Sequence, residues 1–248
     1  MKNILLMVLL FNSASVFADE VHERKVKIQR MESYVSQEAH DRKVRSETII
    51  KELNVPINSY LPFIEDKNDA LVRTTSEVAN RAMVLLIVAV KAEGLEQDIV
   101  DDLIVSYQLE PFLSPKERNF IKSAAPSEYD KVQFIWRYEA AWTLLWALGY
   151  VDKLNVPTDI CDVPAAVTFL QQRSREQFII DSKLRSISEI LDEADLIYRY
   201  HWAVVDARIN NQPIPSGLDE SVVLERHYAL NWLIGYMDQE WDDISTDT

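Results

Sequence analysis

Glycine occurs only four times in 248 residues. Hairpins, barrels and phosphate-cradling loops need positive φ at many turns, and glycine supplies it at the least steric cost. So few glycines restrict the chain to long elements joined by few tight turns, and helices meet that condition. The start signals agree: Thr74 with Glu77, Ser114-Pro115 with Glu117, and Ser186 with Glu189 read as capping boxes. Gly94 and Gly149 read as stops. The pattern predicts further helices over about 128–148, 162–173, 186–209 and 219–236, with proline-marked loops at 55–62, 155–157 and 210–217. The expectation is all-α: one domain over 46–248, of about seven to nine helices, with a buried aromatic and ion-pair core.

The first residues carry Lys2, an apolar run from Ile4 to Phe11, and Val16 and Ala18 at the spacing of a secretory cleavage site. Residues 1–18 are therefore expected to be a signal peptide, and the protein to be exported, periplasmic or secreted. Residues 19–45 form a charged lead-in, helical or partly disordered. No stretch is long and apolar enough for a membrane span. A net charge of −14 argues against nucleic acid or anionic lipid and accommodates a cationic protein partner. Cys161 has no second cysteine to pair with, and Asp159 and Asp162 disfavour its thiolate, so it reads as a small buried hydrophobe.

All six tryptophans lie between 136 and 241, among apolar helical patterns that also hold charges. At 100° per residue, Asp192, Asp195, Arg199 and Asp206 form a polar stripe with Trp202 set into it. The stripe reads either as the wet edge of a mostly buried helix or as the wall of a binding cleft. Arg137, Glu139, Glu225 and Arg226 fall on apolar faces instead. Isolated buried charges are too costly to persist, so these four and Arg199 are expected to form inter-helix ion pairs. The other reading makes Glu139, Asp195 and Glu225 the acid and base of a sugar-cleaving cleft with tryptophan platforms.

Metal and cofactor signatures are missing. His201 and His227 form no metal-binding motif; His201 reads as a satisfied core histidine, and His227 as part of a solvated stripe with Glu220 and Asn231. No phosphate loop, dinucleotide fingerprint or nucleophile elbow occurs, so no cofactor is expected.

Several segments together resemble a bacterial family, the domain of unknown function DUF4272, from about Arg42 to Thr248. They include Arg73-Thr74 with Glu77 and Arg81, Leu113-Ser114-Pro115, residues 136–140 and 145–149, and Ile190 to Asp195. Glu225-Arg226-His227-Tyr228 through Trp232 and the acidic ending from Trp241 complete the likeness, the ending being the most specific piece. The resemblance implies no activity and no catalytic residue. The residues favour an exported binding or interaction protein, of inhibitor or immunity type; the alternative is a periplasmic glycan-directed hydrolase.

Overall fold

The computed structural model describes residues 35–248. The expected signal peptide and the lead-in up to residue 34 lie outside the described residues. Among the described residues the chain is entirely helical, without strands.

The helix α1 (Gln37–Glu52) is followed by α2 (Thr75–Glu93), which is the centre of the molecule. Its apolar run from Val78 to Ala89 is interrupted only by Asn80 and Arg81, and no face of it is polar enough for open water. It is accordingly buried almost all round, with Met83, Leu85, Leu86 and Ile87 among the largest fully enclosed side chains. The capping box of Thr74 and Glu77 starts it, and Gly94, at φ +110°, ends it. Around it lie α3 (Gln97–Ser106), α4 (Pro115–Lys122), α5 (Glu128–Ile135), α6 (Arg137–Ala147) and α8 (Arg175–Asp181), with α7 (Val163–Gln171) at one side. The long α9 (Ile187–Ile209) and α10 (Glu220–Leu233) complete the domain. The packing order differs from the chain order: α1 rests on α9, α9 on α10, α10 on α6, and α6 on α2.

One long helix is expected over 128–148, and the structure breaks it at Trp136. Neither proline nor glycine marks the place. The two halves have different partners: Phe134 stacks on Phe120 with ring centroids 4.1 Å apart, while Arg137 turns to Glu225 on α10. Residues 37–45 of the lead-in belong to α1, where Arg42 is only 1% exposed.

The C-terminal residues fold back over α2, α4 and α10. Trp241, 3% exposed, meets the edges of Tyr228 and Trp232 and lies between the guanidinium groups of Arg81 and Arg137, at 5.0 and 5.7 Å. Asp242 takes the backbone N–H and the ammonium group of Lys116, and Asn231 donates to the carbonyl of Ser245. Replacing Trp241 by alanine is expected to cost roughly 3 to 5 kcal/mol in chemical denaturation, as deletion of a buried large ring does. An unchanged midpoint would show that the terminal segment is not part of the core.

Candidate functional site

The polar stripe of α9 is the seat of α1. Asp192 pairs with Arg45 at 2.6 Å and Arg42 at 3.8 Å; Arg199 holds Asp195 on its own helix at 2.7 Å and Glu47 of α1 at 3.7 Å. Trp202 and Arg199 close over Ile50, Pro56 and Leu61, leaving no room for a water-sized occupant. Asp206 lies further along, accepting from the Asn210 side chain at 3.1 Å. The stripe's one wet edge is thus largely covered by a helix from the other end of the domain.

The charges on apolar faces separate into two kinds. Arg137 and Glu225 make the expected inter-helix pair, at 2.9 and 3.1 Å. Glu139 instead accepts the backbone N–H of Cys161 at 2.5 Å, and Arg226 donates to the carbonyl of Asn155 at 2.6 Å. These two attract each other without direct pairing, because the loop between α6 and α7 supplies backbone partners nearer than either side chain. Burial raises the carboxyl groups of Glu139 and Glu225 above the usual range, partly offset by the Cys161 N–H in one and by Arg137 in the other. Burial and the nearby Glu139 push the Cys161 thiol up as well, in keeping with an inert buried cysteine. Asp195 is committed to Arg199, so the three candidate catalytic carboxylates do not converge on one opening.

Two features were not apparent in the sequence. Glu193 on α9 is driven up to about 7 by burial, with Arg226 opposing. His227, expected on a solvated stripe, is buried and shares a 2.8 Å Nδ1 to Nδ1 hydrogen bond with His201. Only one of the two rings can donate in that bond, and burial lowers both, to about 3 and about 4. The face of α10 assigned to water is covered by α9, which the period of α10 alone does not reveal.

The openings lie elsewhere, beside Trp241. A cleft of about 670 Å³ runs between Arg73, Phe112 and Trp241. A second, of about 570 Å³, lies between α4, α5 and the terminal segment, and the two share Lys116, Trp241 and Asp242. A third opening, a shallow depression of about 660 Å³, lies at the end of α3, lined by Ile104, Val105, Pro111 and Phe112 together with Gln108, Glu110, Lys122 and Arg175. On α3 itself Asp98, Asp101, Asp102 and Val105 stand at i, i+3, i+4 and i+7, all exposed. That spacing was readable in the sequence but escapes notice beside the tryptophans. Among the described residues no group of three or more metal-ligating side chains converges.

A protein family described as "Domain of unknown function (DUF4272)" matches residues 42–244. The chain belongs to this family. No curated protein and no solved structure matches it. The DUF4272 match includes α1 from Arg42, and hence the pairing of Arg42 and Arg45 with Asp192. It also includes Trp241 and its two flanking arginines.

The Glu193 carboxyl gives this DUF4272 domain a pH signature. Its folded pKa lies above the ordinary 4.5, so the folded state favours the protonated form. Its contribution to stability is fully present below about 4.5 and is lost as pH rises through about 7. Glu193→Gln is expected to match the parent near the acidic end of that window and exceed it by about 1 to 2 kcal/mol above it, discounted from the full shift because the residue is half-buried. Parallel melting curves for parent and variant across the window would contradict this assignment.

Proposed function

We propose that this DUF4272 protein is an exported binding protein whose partner presents a cationic protein surface. The observation that carries the reading is the outer face of α3. Asp98, Asp101 and Asp102 form no salt bridge among the described residues, and they lead to Val105, 75% exposed, in the depression that also holds Phe112, Lys122 and Arg175. An apolar anchor point beside exposed charge of one sign is the composition of a recognition surface: the apolar part supplies affinity, the charge supplies orientation and rate. The net charge of −14 extends the same attraction over the whole molecule. The signal-like residues 1–18 support export, placing the partner outside the cytoplasm or in the periplasm.

The hydrolase alternative needs Glu139, Asp195 and Glu225 to face a substrate. Asp195 and Glu225 instead give their oxygens to Arg199 and Arg137, Glu139 gives one to the Cys161 N–H and keeps the other buried, and none of the three lines the clefts beside Trp241 or the depression at α3. This favours recognition over catalysis.

A photo-crosslinking residue placed at Val105, in the cell that naturally makes the protein, tests the reading. A basic protein is expected to be captured, and capture is expected to fail in the variant carrying Asp98→Lys, Asp101→Lys and Asp102→Lys, which leaves the core untouched. Absence of any adduct, or an adduct indifferent to charge reversal and to added salt, would refute it. Release of reducing ends from cell-wall glycan, abolished by Glu139→Gln with the fold intact, would favour the hydrolase.

A further inference from the structure

The cleft between α4, α5 and the terminal segment has a chemistry different from that of the α3 face. Its charged side chains are hydrogen-bonded from within the protein, and two of them, Arg137 and Glu117, have a counter-charge there. Arg137 is held by Glu225, Glu117 by Arg81 at 2.6 Å, and Lys116 by the Asp242 carbonyl; Asp130 accepts from the Ser127 hydroxyl. A charged ligand reaching for Arg137 or Glu117 would have to break a buried pair. The polar side chains of the lining that have no hydrogen bond are neutral. The primary amides of Asn119 and Gln133 are exposed and have no hydrogen-bond partner among the described residues. The phenol of Tyr129, 72% exposed, likewise has none. Each amide offers two donors and an acceptor at fixed separation, which suits adjacent hydroxyl groups.

The apolar part of the lining is aromatic rather than aliphatic. Phe134 is stacked on Phe120 and half-buried, and Tyr228 is fixed by donating its hydroxyl to the Trp241 carbonyl. Tyr129 stands free at the rim, on the same helix as Phe134 and Gln133. Flat rings set among neutral amides match a ligand with apolar C–H faces and a perimeter of hydroxyl groups. At about 570 Å³ the cleft is within the range that encloses a small molecule or a few units of a chain.

We propose that this cleft binds a neutral oligosaccharide, with the Tyr129 ring against one sugar face and the Asn119 and Gln133 amides on its hydroxyl groups. The site is separate from the acidic face of α3 and needs no catalytic group. It gives the exported protein a second ligand, a glycan segment, beside its protein partner.

The test is titration of the isotopically labelled, folded protein with maltotetraose and with chitotetraose, two neutral chains that differ in their ring substituents. The side-chain amide signals of Asn119 and Gln133 are expected to shift saturably with at least one of them in the millimolar range or below. Tyr129→Ala and Gln133→Ala should each weaken that binding roughly tenfold, the scale of losing one ring contact or one bidentate amide. Both positions are exposed, so unchanged melting curves separate loss of the site from loss of the fold. Asp102→Lys, on α3, should leave the titration unaltered. No saturable shift with either sugar, shifts that ignore Tyr129→Ala, or displacement of these signals only by a charged peptide would each overturn the proposal.

Discussion

A guanidinium group taken out of water must meet its counter-charge at one place and one angle, and Arg137 meets it on Glu225, a residue 88 positions away. The contact joins α6 to α10, and through them the central α2 to the outer α9 and α1. The same guanidinium lies over Tyr228 and Trp241, so the pair that aligns two helices also fixes the terminal segment. On the other side of Trp241, Arg81 is held by the buried Glu117, which in turn caps the first turn of α4. Greasy packing alone tolerates rotations and slips between helices, because apolar contact has no direction. A buried pair does not, since a small displacement leaves two uncompensated charges in a medium that solvates them poorly.

The consequence for recognition is that the floor of both clefts beside Trp241 is rigid. Their aromatic rings and carbonyl groups are already committed to partners before any ligand arrives, which lowers the ordering cost of binding. The acidic face of α3 is of the opposite kind: its carboxylates are exposed and in no salt bridge among the described residues, with Asp101 near enough to attract Lys91. One domain thus carries a preorganised opening and a charged, open face, built from different helices.

Much of this was legible in the chain. The scarcity of glycine gave the all-α class, and Thr74 with Glu77, Ser114 with Glu117 and Ser186 with Glu189 gave helix starts that the structure reproduces as capping boxes. Helical periodicity gave the buried positions of Arg137 and Glu225, and the cost of burying them showed that each must pair, but not with which charge. What periodicity lacks is the identity of the opposing element. Asp192, Asp195 and Arg199 read either as a wet edge or as a cleft wall because nothing in α9 says that α1 covers them. His227 looked solvated because the covering helix is α9. The break at Trp136 has no proline or glycine to announce it, and α8 is too short for a period to show. Asn119, Gln133 and Tyr129 carried no signal: neutral side chains on short surface helices acquire meaning only when two helices and the terminal segment bring them to one opening.

The account rests on the Arg137 and Glu225 pair as a directional lock, and a double-mutant cycle on those two side chains tests it most directly. In chemical denaturation, Arg137→Met and Glu225→Gln alone should each cost roughly 3 to 5 kcal/mol, because each strands or weakens a buried charge. The double variant should lose far less than the sum, since it leaves no charge unpaired. Additive losses would contradict the account, showing that the two side chains are buried near each other without holding the helices in register.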